Sequence, residues 1–227
     1  MKKLEPIETS LISIKVYEII RDAIVSGKLP PGTKLTVDDL SKELGVSRTP
    51  VKEALVRLER EGLVENIPRR GMYVAQINIE DALEIYELRE ILEGFAIRKA
   101  AERIDEESLK ILKELLNRGE NYIHKSNFKS YSNIDEEFHK ILWNISGNKR
   151  LFKILENIRS VIRLLMSSSV NLPGRAQASL LEHKKILFAL EKKDPDLAET
   201  YMREHISNVK KVVLENYYRE GKEDSKK

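Results

Sequence analysis

Asp135 and His139 stand one helical turn apart in "NIDEEFHKIL", and two further histidines, His183 and His205, fall among apolar residues later in the chain. Drawn as a helix, residues 133–142 put Ile134, Phe138 and Ile141, with Ile145 beyond, on an apolar stripe. Glu136, Glu137 and Lys140 lie opposite it. Asp135 and His139 fit neither side; they sit on the margin beside Leu142 and Ser146. His183 shares its face with Ile186, Leu187 and Leu190, and His205 shares its face with Ala198, Val209 and Val212. The fourth histidine, His124, keeps company with Lys113, Asn117, Glu120 and Asn121 and reads as solvated.

A lone buried histidine is ordinarily satisfied by hydrogen bonds. Three in one helical bundle each need partners, because an unmet buried polar group costs about 1–3 kcal/mol. A divalent metal would meet that need collectively. Imidazole suits Zn, Ni, Cu and Fe, and a carboxylate adds neutralising charge. Residues at i and i+4, as Asp135 and His139 are, can reach one ion. On the residues alone, separate core histidines and a shared metal site both stand.

Arg89 is a second polar residue on an apolar face, with Ala82, Ile85, Ala96 and Ala100. Two uses fit it. It can pair with Glu93 one turn on, or meet the carboxylate of a small organic acid through charge-assisted hydrogen bonds. Tyr86 and Asn208 occupy neighbouring positions and are further effector-binding candidates.

The elements that must hold these groups are nearly all helical. The chain has 227 residues, 41% hydrophobic and 34% charged, enough for one large domain or two small ones. It has no cysteine, which excludes disulfides and thiolate metal sites. No apolar run approaches the length of a membrane span, and "MKKLEPIETS" lacks the apolar core of a secretion signal. A cytoplasmic protein with no membrane partner is expected.

From about Ile12 to Ser26, Val16, Ile19, Ile20, Ala23 and Ile24 share a helix face, which Gly27 and "LPPG" end. Thr36 with Asp39 has the spacing of a capping box, and Gly45 closes that second helix. Ser47 can cap a third, running to about Glu61 with Pro50 in its first turn. The period then changes to "LVENI" and "MYVAQ" about the turn "PRRG". This is a winged helix-turn-helix with a two-stranded β-ribbon. Beyond Asn78, six helices are expected, at about 79–103, 106–125, 127–146, 149–168, 175–193 and 195–219, with a frayed end at "EGKEDSKK". The fold is mainly α: a winged head over residues 1–77, and a six-helix antiparallel bundle over 78–227 for metal, ligand and dimerisation.

In "SRTPVKEALVRLER", Arg48, Thr49 and Lys52 lie on the first turns of the third helix, away from Val51, Ala54 and Leu55. The N-terminal residues of a recognition helix meet base edges in the major groove. Arginine can bond guanine twice, and Ser47, Thr49 and the helix terminus can hold phosphate. Arg69, Arg70 and Gly71 would tip the wing. Residues 1–77 carry 13 Lys/Arg against 11 Asp/Glu, so bulk charge does not decide whether these are DNA contacts or ordinary solvated charges.

The stretches "AIVSGKLPPGTKL", "LSKELGVSRTPVKEALVRLEREGLV" and "RRGMYV" resemble the DNA-binding head of GntR-type transcription regulators. The resemblance implies base or phosphate contacts from Ser47, Arg48, Thr49 and Lys52, and wing contacts from Arg70 and Gly71. Many members carry arginine where this chain has Lys52, which lacks the planar fork. The acidic "VDD" at 37–39 also lacks an arginine that some relatives use. The remainder is similar to the effector domain (FCD type) of the FadR branch, through "LREILEGFAIRKAA", "DEEFHKIL", "LLEHKKILFAL" and "MREHI". Many members bind a metal there through one Asp and three His, and the matching positions are Asp135, His139, His183 and His205. Six helices rather than seven resemble the VanR-like subgroup.

The expected function is a ligand-responsive transcription regulator, of the repressor kind: a homodimer on a pseudo-palindromic double-stranded DNA operator, sensing a small carboxylate near a divalent transition metal. Zn or Ni leads among the metals, with Mn or Fe next. Two alternatives are a metal-dependent hydrolase tethered to a DNA-binding head, and a regulator whose metal is purely structural. For the hydrolase, Glu136 and Glu137 face away from Asp135, leaving Glu182 as the carboxylate to consider as a base.

Overall fold

The computed structural model describes residues 10–76, 78–166 and 174–224, in two compact units. One is Met1–Ile77 with Ser160–Ser167; the other is Asn78–Arg159 with Ser168–Lys227. The break expected at 171–175 falls mostly outside the described residues.

In the first unit, α1 (Ser10–Val25) buries Val16, Tyr17, Ile20 and Ile24, the spacing of one helix face. Ile19, expected on that face, is 53% exposed, because it lies on the flank of a stripe centred on 16, 20 and 24. Thr36 caps α2 (Val37–Leu44): its hydroxyl oxygen accepts the Asp39 amide at 3.1 Å. Gly45 ends it at φ 64°, and the Val46 amide donates back to the Ser41 carbonyl at 3.1 Å, a left-handed stop that glycine adopts without a Cβ penalty. The next helix, α3 (Arg48–Arg60), buries Val51, Ala54, Leu55 and Leu58. Ser47 holds the N-cap position with extended backbone, but its side chain makes no capping bond, so only the place of the expected cap is found.

The sheet has three strands rather than the expected two: β1 (Lys34–Leu35), β2 (Val64–Ile67) and β3 (Gly71–Val74), antiparallel in the order β1-β3-β2. A two-residue strand carries no alternation for a sequence to show. It exists because the turn after α1 is tied to β3, with the Gly32 amide donating to the Val74 carbonyl and the Val74 amide to the Thr33 carbonyl, both at 2.9 Å. In register, Leu35 faces Met72, Val64 faces Val74 and Ile67 faces Gly71. The wing tip turns through Pro68 and Arg69, the latter at φ 66°, and the Arg70 amide donates to the Ile67 carbonyl at 3.0 Å. That is the shape of a type II turn.

The remaining helices are α4 (Ile79–Ala101), α5 (Glu106–His124), α6 (Phe128–Ile145), α7 (Lys149–Met166), α8 (Arg175–Glu191) and α9 (Pro195–Asp224); all lie in the second unit except α7 beyond Arg159, which belongs to the first. Asn78 and Asp105 cap α4 and α5 by accepting the amides of Asp81 and Ser108 at 2.7 and 2.8 Å. The backbone of α9 stays helical to Asp224, past the expected fraying point. α4 packs along α9 and touches α6; α5 lies against α6 and α8, and α8 against α9. Gly119 on α5 admits α6 closely: a Cβ there would stand 3.1 Å from Ile134.

The buried face of α6 is rotated from the expected stripe. Tyr131, Ile134, Phe138, Leu142 and Trp143 are buried, whereas Ile141 and Ile145 are only partly so. His139, placed on the margin by its sequence, is at the centre with 0% exposure. The same rotation buries Glu136, expected on the wet face; it pairs with Lys140 at 3.0 Å, while Glu137 remains exposed. No described helix is long and apolar enough to cross a membrane.

Candidate metal centre and nucleic-acid interface

Three helices bring Asp135 and His139 (α6), His183 (α8) and His205 (α9) together, each offering a ligand atom within 4.8 Å of the others. All three imidazoles are buried. Ring centroids are 4.6 Å apart for His183 and His205, and 5.2 Å from His139 to each. His124 is exposed on α5 and takes no part.

The hydrogen bonds sort the ring nitrogens. His139 turns Nδ1 to Glu93 Oε2, and His205 turns Nδ1 to Glu182 Oε2 at 2.7 Å. A carboxylate on Nδ1 fixes the tautomer with the lone pair on Nε2, the arrangement by which outer carboxylates orient metal-binding histidines. His139 Nε2 and both nitrogens of His183 are buried without a hydrogen-bond partner. Phe138 stacks on His183 at 4.4 Å and positions that ring by shape. Asp135 Oδ1 is 3.6 Å from His183 Nε2, too long for a hydrogen bond. Burial, with His205 beside it, holds His183 well below its ordinary pKa, and burial also lowers His205. Buried imidazoles around a carboxylate, with orphaned nitrogens on His139 and His183, are the donor set that a borderline divalent ion takes.

Glu93 is fully buried on α4 and receives donors from three sides: Arg89 Nε at 2.7 Å, Trp143 Nε1 at 3.2 Å and His139. Burial would raise this carboxyl, but Arg89 and His139 outweigh it and hold the group well below the usual range. Arg89, a candidate for an effector carboxylate, thus stands in a buried pair with Glu93. Asn208 donates to Glu182 at 2.9 Å, and Arg175 also binds Glu182. Against the upward push of burial, the bonds to His205 and Arg175 bring Glu182 down to about 2. Tyr86 is buried with its hydroxyl unpartnered.

Sequence reasoning passed over Arg159. It is buried on α7, and Nη2 lies 2.6 Å from Asp135 Oδ2, while the Ser179 hydroxyl reaches Oδ1 at 3.2 Å. The signal was present: Leu155, Arg159 and Ile162 fall at i, i+4 and i+7, the same polar-on-apolar anomaly that marks Arg89. Tyr131, one turn before Asp135, is buried beside it, and burial followed by the Asp135 charge raises its pKa well above the usual range.

In the first unit, Ser47, Arg48, Thr49 and Lys52 are exposed at the start of α3, and Arg69, Arg70 and Gly71 are exposed on the wing. Arg48 is paired with Asp38 of α2 through Nε, at 2.5 Å, and Nη2. Tyr73 steadies the wing, donating its hydroxyl to the Arg70 carbonyl at 3.4 Å.

A three-helix head with a β-wing, carried in one chain with a helical unit around a polar centre, defines a regulator with its own sensor. The profile of "Bacterial regulatory proteins, gntR family" matches residues 13–74, and that of the FCD domain matches 84–208. The HTH-type regulator YdhC of Bacillus subtilis (strain 168) is 30% identical over 212 residues, 93% of this chain and 94% of its own. The repressor RspR of Escherichia coli (strain K12) is 28% identical over 205 residues, 90% of each chain. The structure of E. coli McbR/YncC covers 91% of this chain and 98% of its own with TM-score 0.79; at 23% identity the likeness concerns fold. The chain belongs to the GntR family, with an FCD domain as its C-terminal part, and is a ligand-responsive DNA-binding transcription regulator rather than an enzyme.

Proposed function

We propose that the protein is a cytoplasmic repressor, a homodimer on a pseudo-palindromic operator, whose sensor holds a divalent metal through Asp135, His139, His183 and His205 and binds a small carboxylate beside it. The observation that carries the reading is the buried cluster of three histidines around Asp135, two of which, His139 and His183, have orphaned ring nitrogens. Glu93 and Glu182 would orient two of the ligands. Zn and Ni fit three imidazoles and a carboxylate, as do Mn and Fe with lower affinity for nitrogen. When bound, the ion supplies positive charge and open positions for a carboxylate oxygen.

The residues that would meet the effector shift from the sequence-based set. Tyr86 stays, with a buried unpartnered hydroxyl. Arg159, the cation on Asp135, joins it. Arg89 and Asn208 act one step back, through Glu93 and Glu182. The dimer has support in α4, where Leu88, Ile91 and Phe95 line one side at i, i+3 and i+7 and are 52, 55 and 41% exposed. Residues Ser47, Arg48, Thr49 and Lys52 would read the operator, with Arg69, Arg70 and Gly71 on the flanking backbone. Repression is the activity in RspR's name, and six helices in the sensor favour the VanR-like subgroup.

Among the described residues, the carboxylates that the hydrolase alternative would call on are engaged or turned outward: Glu182 is held by Arg175, His205 and Asn208, Glu136 by Lys140, and Glu137 is exposed.

Native mass spectrometry with elemental analysis tests the metal. The wild type and His124→Ala should carry equal amounts, and His205→Ala should lose most of its ion; equal retention in all three overturns the site. Arg48→Ala should weaken binding to an operator selected from random duplexes by about 1–3 kcal/mol. Unchanged affinity would remove α3 from the interface.

A further inference from the structure

The recognition helix does not present its arginine alone. Asp38, in the first turn of α2, holds Arg48 through Nε and Nη2, both on the one oxygen Oδ1. This occupies the side edge of the guanidinium. Nη1 makes no hydrogen bond to a described residue, and the end edge, Nη1 with Nη2, stays free. A guanidinium has five donors in a rigid fork, so fixing one edge fixes the plane and direction of the other. Guanine in the major groove presents N7 and O6 as a matching pair of acceptors. Both side chains are solvent-exposed, 68% for Arg48 and 54% for Asp38, so the pair adds little to stability and lies on the surface the operator would meet.

We infer that Asp38 is the positioning residue that gives Arg48 its selectivity for guanine: it clamps the side edge and leaves the end edge to read one base pair of each half-site. The carboxylate also penalises the alternative use of the arginine. Should Arg48 turn toward a phosphate instead, Asp38 would be left unpaired near the anionic backbone, with its charge repelled. The acidic residue in α2 thereby converts a cation that any DNA would attract into one that pays attention to sequence. Its neighbour Asp39 takes no part, since its carboxylate is engaged by the Thr36 hydroxyl at 2.5 Å.

The inference rests on the DNA-reading assignment of α3, and the test separates the two. The full-length protein selects an operator from random duplexes. Affinities of wild type, Arg48→Ala, Asp38→Ala and Asp39→Ala are then measured for that operator and for duplexes changed at each guanine of the half-site. In Asp38→Ala, discrimination at one guanine should fall by about fivefold or more, the low end of what a bidentate contact supplies. The same base pair should be the one that Arg48→Ala ceases to distinguish, and Asp39→Ala should behave as wild type. Retained discrimination in Asp38→Ala, a loss at a base pair that Arg48→Ala leaves untouched, or an equal loss in Asp39→Ala would overturn the positioning role. If Arg48→Ala itself discriminates like the wild type, the recognition-helix assignment falls, and this inference with it.

Discussion

Arg89 shows how a buried charge is judged by what surrounds it. Its guanidinium is 4% exposed and Glu93 is 0% exposed, so each removes the other's desolvation penalty. Removing one partner of such a pair strands the other and costs about 3–5 kcal/mol, far more than the pair contributes over a neutral core. Arg89→Ala should therefore destabilise the sensor by that amount in chemical denaturation, with His139 losing its orienting carboxylate as Glu93 relaxes. A loss below about 1 kcal/mol, the scale of a surface pair, would show that Glu93 is neutralised another way. At this scale the sequence was informative where a polar residue interrupts an apolar face. Asp135, His139, His183, His205 and Arg89 each do so. It was silent on the bonds of Glu93 to His139 and Glu182 to His205, because those depend on α4 lying against α6 and α8 against α9, and no spacing within one helix encodes its neighbour.

Elements were legible wherever a period of 3.6 meets a cap. Thr36, Asn78 and Asp105 each accept the amide three residues on, and the helices begin there. The strand β1 was not, since Lys34 and Leu35 become a strand only by lying beside β3. The rotation of α6 was missed for a related reason: a sequence with apolar residues at 134, 138, 141, 142, 143 and 145 offers two overlapping faces, and packing against α4 and α5 selects one. The turn between α2 and α3 is open to a single change. Gly45 sits at φ 64° with nothing within 4 Å of where a Cβ would go, so substitution there is a purely conformational cost. Gly45→Ala should lower the opening free energy of α3 amides by about 1–2 kcal/mol in native-state hydrogen exchange. Full protection in the variant would mean that the turn can relax.

For the whole molecule, a metal held by the proposed site would be a thermodynamic partner of folding. An ion that binds the folded sensor and not the unfolded chain adds stability by mass action, about 2.7 kcal/mol at a hundredfold excess over its dissociation constant. Chelation should lower the melting temperature and added Zn should restore it. The chelated protein should also show an acid limb. His183 and His205 are held below their ordinary values by burial, so both are neutral in the fold at pH 7. The unfolded chain takes up protons as the pH drops below about 6.5, while the folded chain resists, and stability falls in that direction only. A melting temperature that declines between about pH 7 and pH 5.5, and is flat from pH 7 to 8, is the expected profile; no decline would contradict neutral burial.

The donor set has one more consequence. Nitrogen from three imidazoles and oxygen from one carboxylate surround the centre, and the chain contains no cysteine at all. Sulfur-built sensors climb an oxidation ladder and change state with the peroxide and thiol content around them. A ring of imidazoles has no rung on that ladder. The ligand set therefore holds no thiolate through which the surrounding peroxide or thiol content could act.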